Sequence, residues 1–444
     1  MLVARHLAVG LLVGLGALSC GGDDDSPGAA VPAVSDAPLR TSPEVSWPAL
    51  SPASEALFDQ TVLHEITMEI SDDDLDLLDP PTDDRVPVLL TVDGEVADGA
   101  GVRLKQGAAQ YQGLDAKPGF SIETDEFVDG LEVFDVDRFT LGNATWDHSF
   151  VAEQLVYELY RSAGIPAART ALARVTVNGE TFGLYVMRET YDERWLAQYF
   201  DDPTGNLYES SGGASDMVLE LRTNERSNDT SDLGAVVEVV TTASDEDYRG
   251  EIEELVDVDQ LMTYWAVEAL TAHWDGYAYD VTAPGRVPPP ARPPGNSWPN
   301  NFYVYHDPTS DQLVFIPHGA DLSFGLGTGT NAGVDPSTSV LVPPKVRATV
   351  PSRLWENPAF RHELADRMRW VLDEIWDVQG LGEHADMFAR LIRADGLAGS
   401  RESATMADFE GALADRKGFM IGRAEAVRAE LADWASVEGS VEEG

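Results

Sequence analysis

Three short blocks near residue 300 carry the side chains with the clearest chemical use. They are His273-Trp274-Asp275-Gly276-Tyr277, Asn300-Asn301-Phe302-Tyr303-Val304-Tyr305, and Phe315 through His318-Gly319-Ala320-Asp321 to Gly325. Phosphoryl transfer needs little covalent chemistry and much positioned charge: a carboxylate to orient the attacking hydroxyl, then an Asn and an Asp to hold a divalent ion. Asp275, Asn301 (with Asn300 beside it) and Asp321 occur in that order, with a predicted hairpin before the last. Read alone, Asp275 is a loop residue at a helix end and Asn301 the start of a strand. Their company is what points to chemistry.

The elements that must position these groups are legible from periodicity. Residues 259–272 place Leu261, Met262, Trp265, Ala266, Ala269 and Leu270 on one helical face, with Asp259 as the expected cap. That helix delivers Asp275 into a loop. Residues 281–299 hold seven prolines and two glycines and read as an inserted extended loop. Strands at 301–305 and 313–316 follow, turning through His306-Asp307-Pro308. Upstream, β-prone runs at 61–70, 86–92, 101–105 and 117–123 are split by Asp, Pro and Gly. Val151, Leu155 and Leu159 mark a helix over 147–163, capped by Asp147 and stopped by Gly164-Ile165-Pro166. Asn178-Gly179 then joins strands 171–177 and 181–187 in a tight hairpin. The last 95 residues read as helical, from 353 to 376 and again from 406 to 434.

Taken together, these stretches resemble the CotH kinase family of secreted, atypical protein kinases first met in spore coats, over residues 60–430. The resemblance rests on the three blocks, on Gly101-Val102-Arg103-Leu104-Lys105, on Lys117-Pro118 to Ile122, and on Gly164-Ile165-Pro166-Ala167. It rests also on Val177-Asn178-Gly179-Glu180 to Val186 and on Gly205-Asn206-Leu207-Tyr208. It implies an α+β, bilobal kinase-like fold with a β-rich first lobe over 56–190 and a helical second lobe over 191–444. It implies Asp275 as the catalytic-loop acid, Asn301 and Asp321 as ligands of Mg²⁺ or Mn²⁺, and ATP as phosphoryl donor. Arg103 and Lys105 would lie on the phosphate-covering strand, Lys117 would be the strand lysine, and Glu153 its helix partner. Glu189 would lie where a hinge meets nucleotide. The chain departs from the family pattern at Gln106-Gly107-Ala108-Ala109, where the glycine is shifted and a hydroxyl is lost. It departs again at 318–321, where the first of two acids is absent.

The ends and the composition bound the setting. Arg5 and the apolar run Leu7 to Leu18 read as an export signal over 1–19, too short to span a membrane as a helix. Ala17-Leu18-Ser19-Cys20 resembles a bacterial lipobox, which makes Cys20, the only cysteine, a lipid anchor and the sole expected membrane contact. Residues 20–55 read as a disordered tether. With 30 Lys plus Arg against 77 Asp plus Glu, the net charge of −47 excludes nucleic-acid binding through a general basic surface. Asp72-Asp73-Asp74 lacks the Gly and Glu of a calcium loop, and His273 with His318 lacks a third close zinc ligand. The expectation is an exported, envelope-anchored kinase acting on Ser or Thr of secreted or envelope proteins. The alternative is a catalytically silent kinase fold used in surface binding or coat assembly.

Overall fold

A computed structural model describes residues 39, 41–42, 45, 47–107, 111–210, 216–281, 298–327 and 333–439. The chain divides into two compact units, Met1–Val34 and Ser35–Gly444, and every described residue belongs to the second. The export signal, Cys20, most of the tether and positions 282–297 of the proline-rich insert lie outside the described residues. Among those described, no helix is long and apolar enough to cross a membrane.

The order begins α1 (Pro52–Leu57), β1 (Leu63–Glu69), α2 (Asp72–Leu78), β2 (Val86–Val92), β3 (Glu95–Leu104), β4 (Phe120–Glu123) and β5 (Arg138–Gly142). It continues with α3 (Ala152–Ser162), β6 (Thr170–Val177), β7 (Glu180–Glu189), α4 (Glu193–Tyr199), β8 (Leu207–Ser210) and β9 (Leu219–Leu221). Then come α5 (Ser231–Thr242), α6 (Tyr248–Glu253), α7 (Val258–Thr271), β10 (Phe302–Asp307) and β11 (Gln312–Pro317). Four helices close the chain: α8 (Thr349–Glu356), α9 (Pro358–Trp370), α10 (Val378–Asp395) and α11 (Met406–Gly439).

The α+β expectation holds, but the first strands do more than form a β-rich lobe. They close into a barrel in the order β1-β2-β3-β4-β5-β7-β6, through parallel pairing of β1 with β6. Closure leaves no sheet edge exposed, and this part of the molecule is a barrel where a protein kinase would be expected to carry an open sheet. Period-2 alternation sends Val102, Leu104, Phe120, Ile122, Phe139, Leu141 and Met187 inward to one apolar core. The other faces of β6 and β7, with Leu172, Leu184 and Val186, join a second and larger core built on α3, α7, α9, α10 and α11. A separate sheet, β11-β10-β8-β9, lies between these helices and the barrel wall.

Several local expectations shift. Helix α3 starts at Ala152, later than expected, and Asp147 serves it from outside, accepting from the Ala152 amide at 2.9 Å and the Ser149 amide at 3.1 Å. Helix α7 is capped by Asp257, which accepts from the Gln260 amide at 2.9 Å; Asp259 pairs instead with Arg367. The run 353–376 breaks at Asn357-Pro358, where Asn357 caps the next helix. The hairpin at Asn178-Gly179 forms as expected, with both residues at positive φ, 48° and 79°.

Lys117 sits apart from its expected place. Its ammonium lies 2.7 Å from Glu402 and 5.0 Å from the ring centroids of both Phe150 and Tyr185. Glu402 also accepts from the Leu184 amide at 3.2 Å, so the pair staples β7 and the approach to β4 to the segment before α11. Both side chains are under 5 % exposed. Removing one partner leaves the other buried and uncompensated, at a cost of about 3–5 kcal/mol, whereas replacing both with apolar groups costs far less. Urea unfolding should therefore show Lys117→Met or Glu402→Leu alone strongly destabilised, and the double variant closer to wild type. Additive losses in the double variant would contradict a coupled staple.

Candidate active site

A cavity of about 310 Å³ opens between the outer wall of the barrel and the β8/β10 sheet. Six cationic side chains line it: Arg85, Arg103, Lys105, Arg138, Arg188 and Arg222. In a chain of net charge −47 this is a local reversal of sign. The β7–α4 connection, Glu189 to Asp192, forms one side, and Tyr303 and His318 face it from the β10–β11 hairpin.

Of the residues named from sequence, Arg103, Lys105 and Glu189 line this cavity, and Lys117 is not among its lining residues. The Lys105 ammonium has no hydrogen bond or ion pair among the described residues, while its backbone amide donates to the Gly119 carbonyl at 2.9 Å. Burial and then the Arg188 charge press its ammonium down to about 7, opposed by Glu153 and Glu209. Among the described residues the Arg103 guanidinium reaches only the exposed Asp83, at 3.5 Å. Glu189 is already engaged: its Oε2 accepts from the Arg169 amide at 2.7 Å and its Oε1 from Arg169 Nε at 2.9 Å.

The expected Lys117–Glu153 ion pair is not formed. Glu153 on α3 accepts instead from Arg188 Nη1 at 2.5 Å and from Tyr157 Oη at 3.1 Å. The reason is register: Lys117 precedes β4 and turns toward Glu402, while Arg188 stands on β7 beside the face covered by α3. Arg188 thus takes the place expected of the strand lysine, and Lys105 is the lysine nearest to it.

The three blocks do converge. Helix α7 ends at Ala272 in the left-handed conformation, φ 51°, which turns the chain toward Asp275. The β10–β11 hairpin pairs Phe302 with Pro317, and the His318 amide donates to the Asn301 carbonyl at 3.1 Å. Asn301 Nδ2 donates to Asp275 Oδ2 at 2.8 Å, and Asn300 Nδ2 to the same oxygen at 3.3 Å. Asp275 Oδ1 has no donor among the described residues. Burial raises the Asp275 carboxyl, with Lys345 and the two amides opposing. Asp321 is pushed up to about 8, first by burial and then by the Glu153 and Asp275 carboxylates, with Arg188 opposing. No side chain among the described residues donates to Asp321, so three acids share one region with a single arginine between them. Gly319, at φ 51°, permits this: a Cβ there would lie 2.7 Å from Asn301 Cγ.

Reading the sequence missed two residues that hold the Asp275 loop. Buried Glu268 of α7 accepts from the Ala278 and Tyr279 amides at 2.8 and 2.9 Å, and from the Tyr277 amide. A Cβ at Gly276 would fall 2.0 Å from Glu268 Oε1, so only glycine leaves room for that reach. Burial raises Glu268 to about 7, with Lys345 and the three amides opposing. Lys345, fully buried, donates to the Gly276 carbonyl at 2.6 Å and the Trp298 carbonyl at 3.3 Å, tying together the two ends of the proline-rich insert. The one available signal was the rarity of lysine: a chain with four lysines that buries two of them is using them structurally.

Comparison with known proteins gives the chain a family and two relatives. A family model described as CotH kinase protein matches residues 110–425. Two proteins of Rhizopus delemar are similar to the chain. Invasin CotH2 is 23 % identical over 210 residues, covering 43 % of this chain and 32 % of its own length. Invasin CotH3 is 23 % identical over 215 residues, covering 44 % and 33 %. The chain thus spans about a third of the length of these curated relatives.

Two histidines flank the acids, His273 buried and His318 half-buried at the cavity wall. His273 is pushed down to about 3, first by burial and then by Lys345, and His318 is held well below its usual value by burial and nearby cations. Below about pH 6.5 the unfolded chain takes up protons that these rings refuse in the folded state, so their contribution to stability is present above that pH and is lost as pH falls through their depressed folded-state values, about 3 for His273. The imidazole proton resonances of His273 and His318 should therefore stay in their neutral positions between about pH 7.5 and about pH 5, although the raised carboxyls of Asp321 and Glu268 take up protons in the folded state over the same range and offset the histidine loss in overall stability. Titration of His273 above about pH 5 would contradict its burial as a neutral group.

Proposed function

This chain belongs to the CotH kinase protein family, and on that premise we propose that it is an ATP-dependent protein kinase acting on Ser or Thr hydroxyls of secreted or envelope proteins. The observation that carries the reading is the cation-lined cavity of an otherwise acidic chain, with Asp275, Asn301 and Asp321 gathered behind its Arg188 wall. The six cations outnumber the four acids that also line the cavity, Glu189, Asp192, Glu209 and Glu225, and phosphates would supply the remaining negative charge. The two apolar cores, with the β7–α4 connection lining the cavity beside them, support a bilobal, kinase-like reading in which a barrel stands for the first lobe.

In the reaction, the acceptor hydroxyl oxygen forms a bond to the γ-phosphorus of ATP while the bond from that phosphorus to the β,γ-bridging oxygen breaks. Asp275 Oδ1 receives the hydroxyl proton, and Asn300 and Asn301 hold the carboxylate by its other oxygen. ADP leaves with the bridging oxygen and its electron pair. Lys105, Arg103 and Arg188 face the phosphates, and a bound polyanion would draw the depressed Lys105 ammonium back to its charged form. Lys117 has a structural part in this reading.

The donor chemistry fits a hard divalent ion. Asp321 and the Oδ1 of Asn301 are oxygen donors, suited to Mg²⁺ or Mn²⁺. Among the described residues no group of three or more His, Cys, Asp or Glu side chains is spaced to hold a metal. Mg²⁺ commonly rests on one or two carboxylates, substrate phosphates and waters, so a complete protein cage is not required. An ion held there would neutralise charge on the phosphates.

Export rests on residues 1–19 and anchoring on Cys20, and the name invasin borne by both relatives favours a surface setting. That name, with the single acid at Asp321, also favours a second reading as a surface-binding protein without catalysis.

The full chain incubated with γ-labelled ATP and Mn²⁺ should label itself or envelope proteins. Asp275→Ala and Asp321→Ala should each lose at least about 100-fold, the scale of a positioned base or a lost phosphate-neutralising charge. Neither label nor a nucleotide-dependent rise in melting temperature in wild type would sink the kinase reading in favour of the binding protein. Label that survives both substitutions would overturn the site assignment alone.

A further inference from the structure

Three arginines are buried among the described residues: Arg188, Arg416 and Arg423. Arg188 has Glu153 for a partner. The other two, on α11, have no carboxylate within ion-pair distance among the described residues, although the chain carries 77 acids. Burying a charge without a counter-charge is costly, so the partners these two do have are informative. Arg416 Nη1 donates to the Phe324 carbonyl at 2.8 Å and the Ser323 carbonyl at 3.2 Å, just past Asp321. Arg423 Nη2 donates to the Ala269 carbonyl at 2.6 Å and to Tyr279 Oη at 3.1 Å, and its Nε to the Leu270 carbonyl at 3.3 Å. Ala269 and Leu270 belong to the last turn of α7, and Tyr279 lies beyond the Asp275 loop. A spacing of seven residues is two helical turns, so both guanidiniums leave one face of α11 about 10 Å apart along its axis.

We infer that Arg416 and Arg423 are positioning residues: together they clamp the Asp275 and Asp321 segments at one separation. The inference rests on the kinase reading only for what that separation serves, a proton acceptor and a metal-bearing acid acting on one phosphoryl group. The last carbonyls of a helix lack intrahelical partners and form the negative end of its dipole. Arg423 meets two of those of α7, and the Phe324 amide takes a third, the Thr271 carbonyl, at 2.7 Å. Phe324 is thus gripped from both sides, by its amide on α7 and by its carbonyl on α11. It stands at φ 52°, which a residue other than glycine rarely adopts and keeps only where its surroundings fix it. Its ring meets Phe419 edge-on, centroids 6.3 Å apart, and Phe419 lies between the two arginines on α11. A Cβ at Gly325 would fall 2.6 Å from Phe419 Cδ2, so the turn after Asp321 approaches α11 as closely as glycine allows. No side chain among the described residues donates to Asp321. Its place therefore follows from its backbone, which Arg416 holds two and three residues further on. Positioned groups tolerate little displacement, since about 1 Å can cost about 100-fold in rate.

The test measures transfer from γ-labelled ATP with Mn²⁺ to whichever protein wild type labels, itself or an envelope protein, alongside amide hydrogen exchange of the ligand-free full chain. Arg416→Met should lower the rate at saturating ATP about 10- to 100-fold while the half-saturating ATP concentration stays within about twofold, because no residue of α11 lines the cavity. Arg416→Lys should recover part of that rate, one ammonium reaching one carbonyl where the guanidinium reaches two. In Arg416→Met, exchange should quicken about tenfold at the Phe324 amide and also at the amides of Tyr277, Ala278 and Tyr279, which Arg416 does not touch. Arg423→Lys should slow transfer and quicken exchange in the same way. Lys417→Met, which removes the neighbouring half-buried cation paired with Asp386, should change neither. Where Arg416→Met melts too low to assay, Arg416→Lys supplies the same comparison with wild type. A wild-type rate in Arg416→Met, or a raised half-saturating ATP concentration with the rate unchanged, overturns the inference. Quickening confined to Phe324, or none, overturns it as well. If wild type neither labels protein nor binds ATP, the kinase reading falls, and quickening in both segments leaves the clamp standing.

Discussion

The ion pair between Arg188 and Glu153 is the constraint on which the rest of the site depends. It fastens the last barrel strand to α3, and Tyr157 braces it from the next turn of that helix. On one side it closes the cationic cavity; on the other it faces Asp321. A buried arginine can hold this position because its planar fork satisfies a carboxylate with one arm and leaves other donors free, which a lysine ammonium does less well. Its charge opposes the mutual repulsion of Glu153, Asp275 and Asp321, so those acids can be gathered in one region without any of them being expelled to solvent.

A second set of buried charges does for the loop what that pair does for the wall. Glu268 collects three consecutive backbone amides after Gly276, and Lys345 gathers two carbonyls from either end of the insert. Backbone groups in a buried loop must be paired with something, and here side chains from α7 and from the 345 region supply the partners. This leaves Asp275 held by its two Asn neighbours through one oxygen, with the other available. A lengthy insert between Asp275 and Asn300 is tolerated because its ends are pinned, so its length costs only slowly growing loop entropy.

The barrel gives the cavity its chemistry. An open sheet would present one face to a core and have edges to protect; a closed one has an apolar inside and an outside free to carry function. The outer wall of β3, β4, β5 and β7 uses that freedom for arginines and hydroxyls, while β6 and β7 elsewhere turn apolar residues toward the helices. The sign reversal at this wall is local. Most cations lining the cavity have a nearby acid, as Arg85 and Arg138 have Glu123 and Arg222 has Glu209, whereas the ammonium of Lys105, just past the end of β3, has no hydrogen-bond or ion-pair partner among the described residues.

What the sequence determined by itself was whatever short-range rules control. Alternation and turn chemistry placed six of the seven barrel strands, all but β5, Asn178-Gly179 set its hairpin, and the order of Asp275, Asn301 and Asp321 around the β10–β11 hairpin announced the candidate site, because hairpin geometry brings such residues together. Cap positions were legible only to within a residue or two: Asp257 displaced Asp259, and Asp147 serves α3 from five residues away, since several acids near a helix start compete for the same amides. Charge partners belonged to the tertiary structure. Nothing local tells Lys117 to seek Glu402, 285 residues on, or tells Glu153 to take Arg188, because the choice follows from which barrel face each strand residue occupies once the sheet has closed. A one-residue change of register would reverse those faces. The three acidic and amide blocks were therefore readable in the chain, whereas the cationic wall opposite them exists only because closure lines up residues from four separate strands.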